Sequence, residues 1–378
     1  MSSRERVLTT LEHREPDRVP LSRSFDRYIT EGLKKHYGVG TDRELDLRLG
    51  IDFPPPAKAA APEGWKPTAD YIDFCRRIVD NPRSAYADYE EWGIRRELRK
   101  EVVELGQGTF IFTHHPWESF TEVSQVEEVE LPDLDAPGRW ELAEKVVREY
   151  GEEYLVWGDL GHVLWTKGWE LRGMYTFMKD LYVNERMATA ILDRLLGHAE
   201  EACKRLLDLG CDGIRVAEDW GTQTQLFINV RLWRKYFKPR YERLFRIPKK
   251  DGAFVYFHSD GNITPIVGEL IDCGVDVLNP VQPECMDPVE VKRRYGDRVT
   301  IHTGCSVQRT LPYGTVDEVK REVLRAIVNL APGGGFIYGT SHRVLYNTPL
   351  ENVVTLFETC LKYGRYPIKI DECSLRSM

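Results

Sequence analysis

The chain is short of several features that would assign it quickly. It has no excess of basic residues: 52 Lys and Arg stand against 60 Asp and Glu, a formal net charge of -8. With no basic tract either, nucleic acid and anionic membrane surfaces are poor partners. No apolar run approaches the ~18 residues that a membrane-crossing helix needs. The opening MSSRERVLTTLEHREPDR carries no apolar signal core, so a cytoplasmic location is expected. The eight cysteines, at 75, 203, 211, 273, 285, 305, 360 and 373, are scattered and form no C-x-x-C. That spacing fits a reducing compartment better than a disulfide framework. Neither G-x-G-x-x-G nor a P-loop occurs, which removes the usual phosphate cradle of an open nucleotide-binding sheet.

What is present is a repeating alternation. The 378 residues, 42% of them hydrophobic, are ample for one large core, and α/β barrels commonly exceed 250 residues as one domain. The N-terminal third is irregular. Ser2 and Glu5 read as a capping box opening a helix to about Arg14, and Arg18-Val-Pro-Leu21 as a short strand. Helices are expected over 28–37, 41–48 and 67–80, loop around Pro54-Pro55-Pro56, and extended stretches at 92–98 and 109–113 that form a hairpin or join a barrel. From 137 the pattern becomes regular. Short apolar strands at 154–157, 213–217, 253–257, 276–278, 299–302 and 335–338 alternate with amphipathic helices. Six such units imply a parallel sheet with helices outside, and two further N-terminal strands would close it. The expected fold is therefore α/β, a single (β/α)8 TIM-barrel domain over residues 1–378 with an irregular helical N-terminal segment. An open doubly wound sheet is the alternative.

Barrels place their chemistry just past the C-terminal strand ends. Of nine histidines, His258, His302 and His342 fall there, while His13, His36, His114, His115, His162 and His198 lie elsewhere or are less clearly placed. In His258-Ser-Asp260-Gly261 a tight turn can bring both side chains inward, and His342 follows the last strand. Two imidazoles and a carboxylate suit a catalytic zinc with one open position; the same three groups also work without metal, as acid, base or hydrogen-bonding partners. Asp219, beside Trp220, is a candidate general acid, or else a helix cap or a salt-bridge partner of a neighbour. Gln223, Asn279 and His302 are candidate polar contacts. Tyr256 and Phe257 alternate, so only one of them faces the interior. Cys305 reads as a small buried hydrophobe or a nucleophile, and His114-His115 as a further stretch for the pocket.

Several runs carry a family resemblance: Asp219-Trp-Gly-Thr-Gln-Thr-Gln225, Phe257-His-Ser-Asp-Gly-Asn262, Asp276-Val-Leu-Asn-Pro-Val-Gln282 with Met286-Asp-Pro288, Gln308-Arg-Thr-Leu-Pro-Tyr-Gly-Thr315 and Thr348-Pro-Leu-Glu-Asn352. Together with Arg4-Glu-Arg-Val7 and His13-Arg-Glu-Pro-Asp-Arg-Val-Pro20, they resemble the uroporphyrinogen decarboxylase-like superfamily along nearly the whole chain. The resemblance implies a (β/α)8 barrel and one of two activities. True decarboxylases carry an Arg-Gln-Ala-Gly-Arg segment for the substrate carboxylates; here the corresponding stretch is Leu21-Ser-Arg-Ser-Phe-Asp-Arg-Tyr28. The other branch holds corrinoid-dependent methyltransferases, whose thiol-methylating members bind zinc on a His-x-Cys…Cys set. His258 matches that histidine, while Asp260 and His342 stand where the thiolates would be, and harder ligands suit an oxygen substrate. The resemblance thus implies transfer of a methyl group from a methoxylated aromatic compound to the Co(I) corrinoid (cobalamin) of a partner protein. His258, Asp260, His342 and Asp219 would act on the ether oxygen, with Zn2+ on the first three. Trp220, Trp165 and Phe25 would supply aromatic walls. A homo-oligomer stays open.

Overall fold

The computed structural model describes residues 1–66, 87, 89–98 and 110–370. The helix expected over 67–80 falls outside them. Seven strands form one parallel sheet: β1 (Ala57–Lys58), then, after a separate pair β2 (Arg95–Leu98) and β3 (Phe110–His114), β4 (Trp157–Asp159), β5 (Gly213–Ala217), β6 (Phe254–His258), β7 (Val277–Asn279), β8 (Thr300–His302) and β9 (Phe336–Ile337). Every neighbouring pair in this sheet is parallel, in chain order. The two ends meet through Leu21, which bridges Tyr338 on one side and Ile51 on the other. Ser22 N–H donates to Tyr338 O at 2.9 Å, and Asp52 N–H to Leu21 O at 2.9 Å. Strand-then-helix alternation around this ring is the (β/α) barrel that the periodicity predicts.

One expectation changes. The strand that pairs with β4 comes from the stretch 51–58, read as loop because of Pro54-Pro55-Pro56. Proline cannot donate to a neighbouring strand, and the pairing in fact resumes only after the prolines, at Ala57 and Lys58. Of the two outcomes open for 92–98 and 109–113, the antiparallel pair is found: Arg95–Leu98 pairs with Phe110–His114, apart from the seven-stranded sheet.

The strands are short and buried on both faces, hence their near-continuous apolar reading. Outside them pack amphipathic helices, among them Glu185–Asp208, Pro288–Tyr295, Val316–Leu330 and Leu350–Tyr363. After β4 come two helices, Trp165–Arg172 and Met174–Val183, divided at Gly173 with φ +79°. The N-terminal helix Ser3–Leu11 closes the floor: Val7 and Leu11 pack against Leu155, Trp157, Tyr256, Val277 and Ile337. Arg4 ties it to Asp212 (2.7 Å) and to the Tyr154 carbonyl (3.0 Å). With the floor plugged, the open end is the one where the strands terminate. The six described cysteines are all unpaired. Among the described residues no helix is long and apolar enough to cross a membrane.

Candidate active site

His258 is the last residue of β6, and Asp260 lies in the turn that follows. That turn is built on close approach. Gly261 has φ +80°, and a Cβ there would sit 2.2 Å from Gly221 O. Only glycine lets the loops after β5 and β6 touch in this way. Ser259 Oγ accepts the Trp220 N–H (3.0 Å), Asp219 Oδ1 accepts the Asp260 N–H (3.2 Å) and Gln282 Oε1 the Gly261 N–H (3.2 Å). On the far side, Cys305 and Thr340 pair as an isolated bridge that carries the chain on to His342.

These loops bring His258, Asp260 and His342 together, with one ligand atom of each within 4.8 Å of the others. His258 Nε2 is 3.8 Å from Asp260 Oδ1, and His342 Nε2 is 3.4 Å from Asp260 Oδ2. His258 Nδ1 faces Asn279 Oδ1 at 2.7 Å. With the amide oxygen as acceptor, Nδ1 keeps its proton and Nε2 turns its lone pair into the cluster, the usual way a second residue orients a metal-binding histidine. Burial holds His258 below the ordinary histidine pKa, against the opposing pull of Asp260. It is therefore neutral, as a ligand must be. Asp260 Oδ1 is buried and has no hydrogen-bond partner. A buried carboxylate oxygen left open between two imidazoles, with a nitrogen lone pair aimed at it, is a donor set that fits a divalent zinc.

Asp219 touches this cluster through the Asp260 amide. The helix-capping role that Asp219 shares as an alternative belongs to its neighbour Glu218. That buried carboxylate accepts the N–H groups of Leu164 (2.6 Å), Trp165 (3.1 Å) and Thr166 (2.7 Å) at the start of helix Trp165–Arg172. Sequence adjacency of two acids concealed the division of labour.

Of the two alternating aromatics, Tyr256 faces in. It packs on Trp157 (5.2 Å) and its hydroxyl lies 2.8 Å from His302 Nδ1, whereas Phe257 faces the helices at Tyr241 (5.6 Å). His302 is buried, with Ser22 Oγ 2.6 Å from Nε2, and burial drives its pKa down to about 3. His302, Tyr256 and Asn279 thus form a neutral polar floor beneath His258. Gln223 is exposed on the rim, accepting from Cys285 Sγ at 3.4 Å. Phe25 is half-buried, edge-on to Phe357 (5.8 Å), and adjoins the His342 loop through its pairing with Val344. The aromatic-wall expectation is corrected for Trp220 and Trp165. Both are fully buried, stacked at 4.8 Å, with the Trp220 indole donating to Tyr241 Oη (3.1 Å). They stiffen the wall from behind. Cys305 is a fully buried thiol.

A second histidine cluster stands on the β4 side. His162 Nδ1 lies 2.8 Å from Glu170 Oε1, and Lys167 Nζ is 3.1 Å from Glu170 Oε2. Burial works against both charges, but the ion pairs win: His162 is raised above its ordinary pKa and Glu170 is held down near 2. Beside it Arg215 (3.0 Å) and Lys58 (3.9 Å) flank Asp159. None of these was singled out from the sequence as a pair; the eight-residue step from His162 to Glu170 along one helix start is the only local signal. His115 Nδ1 bonds the Glu170 carbonyl (2.6 Å), so it braces this wall.

Residues 104–363 match the uroporphyrinogen decarboxylase (URO-D) family, more than half of the chain. The chain belongs to that family. Two curated relatives, uroporphyrinogen decarboxylases of Pelodictyon phaeoclathratiforme and Chlorobium phaeobacteroides, are 23% and 22% identical over 48% and 49% of this chain. The match spans about half of their own length, 50% and 52%. Among solved structures, a methyltransferase from Methanosarcina mazei superposes with a TM-score of 0.66 at 18% identity, over 96% of this chain and 99% of that one. At that identity the likeness establishes a shared fold.

Proposed function

We propose that this URO-D family member is a methyltransferase that moves the methyl group of a methoxylated aromatic compound to the Co(I) corrinoid of a partner protein. The observation that carries the reading is the open cluster His258, Asp260 and His342 at the barrel mouth. The reaction is an in-line displacement. The cobalt electron pair forms the new bond to carbon, and the carbon–oxygen pair stays on the departing phenolate, which takes a proton from water at the mouth. His258 Nε2, Asp260 and His342 Nε2 would hold a zinc ion, which when bound supplies Lewis-acid polarisation of the ether oxygen. The remaining residues orient. Asn279 sets the His258 tautomer, Asp219 pins the Asp260 backbone, and neutral His302 with Tyr256 forms a floor that puts no charge under the aromatic ring. Two imidazoles and a carboxylate favour an oxygen donor over a thiol, which a soft thiolate site would serve. The methyltransferase fold of the Methanosarcina protein supports the same class of activity.

The test is to incubate the chain with a panel of methoxybenzoates and guaiacols plus a Co(I) corrinoid protein, and to follow methyl-cobalt absorbance. Turnover lost in His258→Ala is the expected result; no transfer from any ether sinks the reading. The relatives' activity favours a second reading, decarboxylation of a tetrapyrrole. Against it, the Leu21–Tyr28 stretch has Arg23 committed to Asp46 and laid over the Phe25 ring. CO2 release from uroporphyrinogen without corrinoid would establish that alternative, and methylation of a thiol by methylcobalamin would establish a thiol-directed enzyme.

A further inference from the structure

We propose that the chain carries a second ligand site, outside the barrel mouth, that binds the phosphate groups of a small polyanion. It is a groove of about 630 Å³ between the short helix Thr310–Tyr313 and the outer face of helix Val316–Leu330. Small-molecule sites fall in this size range. Arg309, Arg321 and Arg325 line it, with Tyr313, Glu318 and Glu322.

The charges carry the argument. Several buried or half-buried arginines elsewhere are paired: Arg4 with Asp212, Arg6 and Arg18 with Asp52, Arg172 with Asp180. Among the described residues no carboxylate lies within ion-pair distance of Arg309, Arg321 or Arg325. The two glutamates of the groove each hold a hydrogen bond to a neighbouring residue, and Glu318 also feels the Arg321 charge. Glu318 accepts the Thr315 N–H (2.7 Å) and hydroxyl (2.9 Å) in a capping box, and Glu322 accepts the Ser306 N–H (2.8 Å). Arg321 and Arg325 are four residues apart on one helix, so they stand on the same side and repel. A chain with a net charge of -8 that nonetheless gathers three such groups around one groove gains from an anion there. Guanidinium forks match phosphate oxygens bidentately. Tyr313, 77% exposed at the groove edge, offers a ring face to a flat group attached to the phosphates. The site shares no residue with the mouth, so it stands whether or not the methyl-transfer reading does.

The experiment is isothermal titration of the full chain at ~0.15 M salt, where surface charges are screened beyond ~8 Å. The probes are inorganic pyrophosphate, ATP, adenosine and citrate. Pyrophosphate is expected to bind at one site per chain, at least about tenfold tighter than citrate. The double variant Arg321→Ala/Arg325→Ala should weaken it by about tenfold or more. His258→Ala should not change it. If the double variant loses helix content by circular dichroism, Arg309→Gln carries the same test. ATP binding tighter than pyrophosphate, with the gain lost in Tyr313→Ala, identifies a nucleotide as the source of the phosphates; equal affinities identify free polyphosphate. No saturable pyrophosphate binding, full affinity in the arginine variants, or citrate binding equally well overturns the proposal.

Discussion

The barrel mouth holds two histidine–carboxylate clusters, and they are built in opposite ways. On the β4 wall, His162, Glu170 and Lys167 make contacts of 2.8 and 3.1 Å with the acid and the lysine buried. On the β6 and β9 wall, His258, Asp260 and His342 stand 3.8 and 3.4 Å apart, too far for good hydrogen bonds, and one carboxylate oxygen has no partner. The first cluster is tightly ion-paired, with a buried lysine balancing its carboxylate. The second is held in place by its neighbours but left open at its centre. The two clusters therefore differ in how closely their charged atoms approach and in whether a lysine balances the carboxylate.

The largest effect expected is at the open cluster. On the proposed zinc reading, His258→Ala lowers metal per chain from about one to near zero in elemental analysis, with the melting temperature little changed. Its turnover with any accepted methoxyaromatic should fall by on the order of a thousandfold or more, as for loss of a group acting on the reacting oxygen. Unchanged metal content and activity would erase the contrast between the walls.

At the closed cluster the same kind of change should act on stability. Glu170→Ala leaves Lys167 and His162 without this carboxylate, and breaking a buried pair costs about 3–5 kcal/mol. Urea unfolding reads it directly, and a cost under about 1 kcal/mol would remove the structural assignment. The pH dependence has a definite sign. A histidine raised in the folded state contributes stability that is full below the ordinary histidine range and is lost as pH rises through the raised value. Glu170, held near 2, contributes stability present above the ordinary glutamate range and lost as pH falls towards 2.

Asn279→Ala is expected to cost about 10–100-fold in zinc affinity through loss of His258 orientation. A competition titration with a chelator measures it, and Asn279→Asp, which keeps an acceptor, should recover most of the loss.

The smallest effect concerns the floor. His302 titrates near 3 when folded and near 6.5 when unfolded, so it takes stability away as pH falls through 6.5. At pH 5 the loss is about 2 kcal/mol relative to pH 8. His302→Gln should flatten that part of the stability curve; an unchanged slope would mean that the ring is protonated when folded.

Much of this was legible along the chain. The alternation from 137 onward predicted the strands, and 213–217 agrees residue for residue with β5. The strand-end rule brings His258, Asp260 and His342 together, because a parallel barrel must deliver its strand ends to one face. Less legible was whatever depended on which way a side chain turns. Trp220 sits at a strand end yet packs inward on Trp165 and Phe237, since its indole N–H finds Tyr241 there. The strand after Pro54-Pro55-Pro56 was hidden because proline argues against a strand wherever pairing is continuous.

The sequence by itself determined the fold class, the face on which the strand ends gather and the donor types available there. These follow from local periodicity and from a topology that permits one answer. The tertiary structure decided which donors are satisfied. Glu218 caps a helix 52 to 54 residues away in sequence while Asp219 stays at the site. His302 is neutralised by burial against Ser22, 280 residues distant. Whether a polar atom is matched or left open depends on neighbours brought close only by folding, and no local pattern in the chain records them.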